Sequence, residues 1–116
     1  MYRHSSHFTP ACIAFIKQGQ GLSLEKYQDE RGVWVIGYGH EITVGETFTS
    51  QISVAQAETL LLMDLYACEE LIQAKLPQLN DMFQLEALIA WMFSVGITRF
   101  CASEMWPAHI SQPETI

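Results

Sequence analysis

The stretch GQGLSLEKYQDERGVWVIGYGH, residues 19–40, joins the end of a helix pattern to a strand pattern. The tetrapeptide DERG, residues 29–32, has the composition of a turn, and the segment VWVIGYG that follows is β-branched and aromatic with interspersed glycines. This combination is typical of a β-hairpin. It predicts a small sheet near the N-terminus, in a β-rich region over residues 21–52.

A helix is predicted just before this stretch. Thr9 and Pro10 have the character of an N-cap and a first helical residue, and apolar side chains recur from Cys12 onward. Gly19 and Gly21 are stop signals. We therefore expect the first helix at about residues 10–20.

The pattern after residue 52 is helical. Ser53 and Gln56 have the spacing of a capping box. Apolar residues at 61, 65, 68 and 72 share one helical face, which predicts a helix over residues 53–75, continuous or broken once. Pro77 follows it.

The next helix begins at Asn80 or Asp81 and stops at Gly96. Its segment LEALIAWMFSVGI is apolar nearly all round, which predicts a central, buried helix. A short helix around 98–105 and a frayed tail at 106–116 complete the expected order. We thus expect one domain over residues 1–116, with the helical region at 53–105.

The composition of the chain limits the functions that it can have. The chain has 116 residues, is 49% hydrophobic and carries a net charge of −7, which favours a globular protein and disfavours binding to nucleic acid. We expect no membrane span, no signal peptide, no cofactor and no metal site, and a cytoplasmic location. The three cysteines cannot all pair within the chain. Cys12 and Cys68 are expected to be buried and reduced, whereas Cys101 lies near the end of the helical region.

The residues that follow the first helix resemble those of phage-type lysozymes (endolysins), the family 24 glycoside hydrolases. That family has a helix ending in Glu-Gly, then an apolar-x-x-Tyr-x-Asp motif, then Gly-x-Trp-Thr-Ile-Gly-Tyr-Gly-His. Farther on, SVAQAETLLLMDL and ALIAWMFSVGITRF are similar to two helices of the family. The corresponding hairpin residues here are Gln20, Gly21, Leu24, Tyr27, Asp29, Gly32 and the segment Trp34–His40.

The resemblance implies an α+β, lysozyme-like fold that is mainly helical, with a small N-terminal β-hairpin lobe. It also implies an active site at three positions, where the family has Glu, Asp and Thr and this chain has Gln20, Asp29 and Val35. Glycoside hydrolysis needs a carboxylic acid to protonate the leaving oxygen and a second carboxylate to activate water or stabilise the sugar cation. Glutamine has no acidic proton to give, and valine has no hydroxyl to orient a water.

The hairpin and the core helix carry further candidate residues. Trp34, Tyr38 and His40 either bind substrate or brace the hairpin. The resemblance implies additional helices beyond residue 116, so the helix at 81–95 is expected to be partly uncovered. Its face with Leu88, Trp91, Met92 and Val95 is the expected partner interface, for self-association or for an active endolysin.

Three functions stay open from the sequence. The first is a catalytically inactive lysozyme homologue that regulates lysis by binding a partner. The second is a weakly active peptidoglycan muramidase, which cleaves the MurNAc–GlcNAc bond. Replacement of the missing acid by Glu25 or Glu30 is disfavoured, because Glu25 is expected in a solvated connection and Glu30 is expected to face away from Asp29. The third is a carbohydrate-binding remnant, for which peptidoglycan would be a weak ligand.

Overall fold

The computed structural model of the protein describes residues 8–103. Within these residues the chain forms an α+β fold, mainly helical, with a small antiparallel sheet near the N-terminus, as predicted. The elements in chain order are α1 (Pro10–Gln20), β1 (Ser23–Gln28), β2 (Trp34–Gly37), β3 (His40–Glu41), α2 (Val54–Lys75), α3 (Met82–Val95) and α4 (Ile97–Ala102).

The first helix is defined by its caps. The Thr9 hydroxyl accepts a hydrogen bond from the Cys12 amide at 3.1 Å, and Pro10 occupies the first turn, where no amide hydrogen is needed. Gly21, with φ of 74°, ends the helix, and its amide donates to the Lys17 carbonyl. Gln20 is thus fixed as the last residue of α1.

The sheet has the strand order β1-β2-β3, and both pairs are antiparallel. Between β1 and β2 the amide of Gly32 donates to the Asp29 carbonyl, and the amide of Asp29 donates to the Val33 carbonyl, each at 2.9 Å. The predicted turn at residues 29–32 therefore closes the hairpin. Tyr27 lies opposite Val35, and a bulge separates this pair from Ser23 opposite Gly37.

Helix α2 begins with the predicted capping box. The Gln56 amide donates to the Ser53 hydroxyl at 3.0 Å, and the Gln56 side chain accepts from the Ser53 amide at 2.7 Å. The helix continues to Lys75 without a break. Its predicted apolar face is buried at Leu61, Leu65, Cys68 and Ile72.

The chain divides into two compact units, with the boundary inside α2 between Leu65 and Tyr66. In the first unit Ile36, Ile52 and Ala57 form a buried cluster, against which five partly buried side chains pack. These five are Leu24, Tyr38, Ile42, Phe48 and Leu60. Full burial of one large aliphatic side chain such as Ile36 stabilises the fold by about 1.5–3 kcal/mol.

In the second unit Asp81 caps α3, accepting a hydrogen bond from the Phe83 amide at 2.9 Å, and Gly96 ends the helix as predicted. The buried residues of α3 are Leu85, Leu88, Ile89, Met92 and Phe93. The short helix α4 ends at Ala102, whereas the sequence predicts residues 98–105. Residues 104 and 105, and the predicted tail at 106–116, lie outside the described residues. No helix within residues 8–103 is both long and apolar enough to cross a membrane.

Candidate functional site

Gln20 points at the turn between β2 and β3. Gly39 in that turn has φ of 76°, and a Cβ atom placed on it would run into the Oε1, Cδ and Cγ atoms of Gln20. The Gln20 amide group therefore lies directly over the Gly39 backbone. Only glycine leaves room for this close approach, and glycine also tolerates the left-handed backbone there.

Asp29 lies beyond the opposite end of β2, in the β1–β2 turn. Its Oδ1 accepts hydrogen bonds from the amides of Arg31 at 2.8 Å and Val33 at 3.0 Å, and its Oδ2 accepts one from the Arg31 guanidinium at 2.8 Å. The Val33 hydrogen bond is the largest effect and lowers the pKa of Asp29; burial opposes it, and the hydrogen bonds and charge of Arg31 lower the pKa further. Asp29 is an ionised carboxylate that stabilises the turn through these hydrogen bonds.

Val35 is buried, with 3% of its surface exposed, in the middle of β2. It lies opposite Tyr27 on one side and Glu41 on the other. An aliphatic side chain at this position packs into the protein and supplies no hydrogen-bonding group. Of the three positions at which the sequence predicts an active site, Asp29 alone carries a carboxylate.

His40 forms the most extensive side-chain network in the described part of the sheet region. Its Nδ1 lies 2.9 and 3.0 Å from the two Asp64 oxygens, and its Nε2 lies 3.0 Å from both Glu46 oxygens. Burial lowers the pKa of His40, but the hydrogen bonds and charges of the two carboxylates outweigh burial and raise it to about 9. His40 is thus an imidazolium held between two anions.

The two carboxylates respond differently to this arrangement. Burial raises the pKa of Asp64 above its ordinary value, although the His40 imidazolium opposes the change. Burial also acts to raise the pKa of Glu46, but hydrogen bonds from Thr43 and from His40, together with the His40 charge, lower it overall. The network ties the β2–β3 region to α2 through Asp64 and to the following loop through Glu46.

Trp34 and Tyr38 occupy different environments. Trp34 is 46% exposed, and the Lys26 ammonium lies 5.4 Å from the centre of its ring. Tyr38 is half-buried against the apolar cluster of the first unit, and the Lys17 ammonium lies 5.2 Å from its ring centre. Trp34 therefore keeps an accessible aromatic surface, whereas Tyr38 is mainly a packing residue.

Three carboxylates that shape this region were not predicted from the sequence: Glu46, Glu58 and Asp64. Glu58 lies 2.6 Å from the ammonium of Lys17, and Lys17 precedes Gln20 by about one turn of α1. For Asp64 a signal was present, because a single acid within the apolar run LLLMDL usually needs a buried partner. Glu25 lies on strand β1 rather than in a connection, and its Oε2 accepts a hydrogen bond from Gln51 at 2.9 Å.

The expected partner face on α3 is wrong for two of its four residues. Leu88 is 4% exposed and Met92 is fully buried, whereas Trp91 is 40% exposed. The reason is helical geometry: Leu85, Leu88 and Met92 share the inward face at spacings of three and four. Trp91 lies on the outward face with its ring 5.1 Å from that of Phe100, and Val95 is half-buried.

Residues 8–103 contain no group of three or more histidine, cysteine or acidic side chains arranged to hold a metal ion. None of the three cysteines forms a disulfide bond; Cys12 and Cys68 are buried, as predicted, and Cys101 is partly exposed.

Comparison with known proteins gives a consistent result. The phage lysozyme family model matches residues 17–114. An endolysin of Acyrthosiphon pisum secondary endosymbiont phage 1 is 31% identical over 103 residues, and the match covers 85% of this chain and 66% of that protein. The chain thus spans just under two thirds of the length of this relative.

Solved structures agree in fold. A crystal structure assigned as a phage endolysin from S. enterica is 63% identical, with a TM-score of 0.71; the match covers 77% of this chain and 94% of that chain. The muramidase domain of SpmX from Asticaccaulis excentricus is 26% identical, with a TM-score of 0.67, and the match covers 96% of this chain and 72% of that chain.

Proposed function

Because the chain belongs to the phage lysozyme family, we propose that it is a lysozyme homologue of phage or prophage origin that binds a partner instead of cleaving peptidoglycan. In this proposal it acts in the cytoplasm of the bacterial host as a regulator of lysis. The observation that carries the proposal is the amide of Gln20 at the position where the resemblance to the family places the catalytic acid.

The chemistry supports a large loss of hydrolysis. General acid–base help contributes typically about 10²–10⁴ to the rate, and glycosidic cleavage depends on protonation of the leaving oxygen. The side chain of Gln20 has the same length as that of glutamate and lies against Gly39, but it has no acidic proton. Val35, being buried and aliphatic, adds no group that could orient a water.

Three neighbouring carboxylates have other partners. Asp29 is held ionised by the turn amides and Arg31, so it cannot act as the acid near neutral pH. Glu58 pairs with Lys17, and Glu25 accepts a hydrogen bond from Gln51. None of these three groups offers an evident replacement for the missing acid.

The alternative is a weakly active muramidase, and one observation favours it. Asp29 is a carboxylate at one of the three positions where the resemblance to the family implies an active site, and Gln20, at another of these positions, lies against Gly39. Under this alternative, slow hydrolysis would proceed with a solvent proton donor. A carbohydrate-binding protein that does not hydrolyse is the remaining alternative.

An activity assay tests whether the chain hydrolyses peptidoglycan. The purified chain is incubated with peptidoglycan and with chloroform-treated cells, and released reducing ends and turbidity are followed beside an active endolysin. We expect a rate at least about 10²-fold below that of the endolysin. A comparable rate would refute the proposal.

Substitution at position 20 refines the test. Gln20→Glu restores the carboxylic acid, and Gln18→Glu is the matched control, because Gln18 is an exposed residue of the same helix and gains the same charge. We expect Gln20→Glu to hydrolyse peptidoglycan faster than the wild type but more slowly than the endolysin, since Val35 still supplies no hydroxyl, and Gln18→Glu to stay at the wild-type rate. Full activity of Gln20→Glu alone would show that the acid is the single missing element.

The binding half of the proposal is tested with an active endolysin as partner. The net charge of −7 favours a basic partner surface. Light scattering of the chain alone, of the endolysin alone and of the mixture reports a complex directly. A chain that neither binds nor inhibits the endolysin would remove the support for regulation and leave a decayed lysozyme as the better description.

A further inference from the structure

A cavity in the first unit lies apart from the positions predicted for catalysis. It has a volume of about 240 Å³ and lies between strand β1 and the segment that leads into α2. Gln20, Asp29 and Val35 are not part of its wall. The residues that line it are Glu25, Lys26, Phe48, Thr49, Ser50 and Gln51.

Two hydrogen bonds hold the walls of the cavity together. The amide of Ile52 donates to the Leu24 carbonyl at 3.0 Å, which fixes the segment against β1. The Gln51 side-chain nitrogen also donates to Glu25 Oε2 at 2.9 Å. The cavity is thus formed by strand β1 and by the segment before α2, which these hydrogen bonds hold against the strand. The Glu25 carboxylate and the Gln51 amide are hydrogen-bonded to each other.

The composition of the wall limits the class of ligand. One acid, Glu25, and one base, Lys26, balance in formal charge, and the Lys26 ammonium lies over the Trp34 ring. An anion would meet a carboxylate with no cationic cluster to offset it. The described residues also hold no metal-binding cluster here. A neutral ligand fits this wall best.

The remaining groups favour a polyhydroxylated ring. Phe48 packs against the apolar cluster of the first unit and also lines the cavity, which gives the cavity an aromatic surface. The hydroxyls of Thr49 and Ser50, the Gln51 amide and the Glu25 carboxylate supply both donors and acceptors. The cavity is open to solvent, and its volume is below the roughly 300–1,000 Å³ of pockets for drug-sized ligands, which matches a single ring.

We propose that this cavity is a binding site for a single neutral saccharide ring, held by the Glu25–Gln51 pair and packed on Phe48. The site lies outside the predicted catalytic positions and does not depend on whether the chain hydrolyses peptidoglycan. It would hold the protein on a glycan through a terminal or exposed sugar unit.

The test is an NMR titration of the ¹⁵N-labelled full chain with N-acetylglucosamine as the neutral probe and inorganic phosphate as the anionic probe. We expect the sugar to shift the amide signals of residues 25–26 and 48–51, with a dissociation constant of roughly 1–10 mM. Sugar-induced shifts concentrated around Gly39, or no shifts, would overturn the proposal. The same shifts with phosphate would also overturn it, because they would indicate an anion site.

Variants assign the binding to the cavity. Gln51→Ala removes one half of the polar pair and is expected to weaken sugar binding about fivefold or more. Gln73→Ala is the matched control, because Gln73 is an exposed glutamine of α2 outside the cavity. Glu25→Gln is the second variant and replaces the carboxylate with an amide of the same shape. Equal affinity in the wild type and in both cavity variants would refute the assignment, provided that their spectra show the native fold.

Discussion

The buried imidazolium of His40 makes the stability of the fold depend on pH. His40 is the only histidine among the described residues, and its ring contacts the carboxylates of Asp64 and Glu46. The perturbation is Asp64→Asn, which keeps the size of the side chain and removes its charge. Its matched control is Glu70→Gln, which removes one charge from an exposed position of the same helix.

The magnitude follows from the pKa. In the folded protein the pKa of His40 is raised from 6.5 to about 9. A difference of about 2.5 pKa units corresponds to about 3 kcal/mol at 1.36 kcal/mol per unit. Because the raised pKa means that the folded state binds the proton more tightly, this contribution is complete below pH 6.5 and is lost as the pH rises to about 9. For a domain of ordinary stability, 5–15 kcal/mol, the loss is large.

The assay has two measurements on the same proteins. NMR titration of the His40 ring gives its pKa, and urea unfolding at intervals between pH 6 and pH 10 gives the free energy of unfolding. We expect the wild type to titrate near 9 and to lose stability over this window. Asp64→Asn should lower the pKa of His40 by about one unit or more and flatten the loss, whereas Glu70→Gln should change neither.

Three results would refute the reasoning. One is a wild-type pKa for His40 at or below 6.5. Another is a free energy of unfolding that stays constant between pH 6.5 and 9. The third is an equal pKa in the wild type and Asp64→Asn, which would show that Asp64 does not stabilise the imidazolium.

Two further predictions concern packing. Gly39→Ala should destabilise the fold by about 1–3 kcal/mol, because the new Cβ meets Gln20 and the backbone has positive φ; thermal unfolding measures the loss, which Gln20→Ala in the same chain should partly relieve. If the double variant is no more stable than Gly39→Ala alone, the steric contact is not the cause. Thiol labelling of the folded protein should modify Cys101 before Cys12 and Cys68, which are buried. Rapid labelling of either buried thiol would contradict the packing described for α1 or α2.

Local signals in the sequence were sufficient to predict most of the fold. The caps at Thr9, Ser53 and Asp81 act through hydrogen bonds between near neighbours, so their spacing alone identifies them. The turn at residues 29–32 is likewise local. The face at 61, 65, 68 and 72 was predicted because helical periodicity depends only on residue order.

Contacts between residues distant in sequence were harder to predict. The pairing of His40 with Asp64 joins residues 24 apart, and that of Lys17 with Glu58 joins residues 41 apart, so no local pattern identifies the partners. The inward face of α3 was misassigned for a related reason. A helix that is apolar nearly all round offers several faces of similar hydropathy, and tertiary packing selects among them. The burial of Leu88 and Met92 shows which face was selected.

The presence of Asp29 is weak support for catalysis, because the turn itself explains it. Its carboxylate accepts three hydrogen bonds from Arg31 and Val33, and a neutral or shorter side chain would lose charge-assisted bonds that close the hairpin. A binding protein with this fold needs that turn as much as an enzyme does. Gln20 differs in this respect, because an amide and a carboxyl of equal length can both lie against Gly39, and only the carboxyl can donate a proton to a leaving group. Position 20 therefore separates hydrolysis from binding, whereas position 29 is compatible with both.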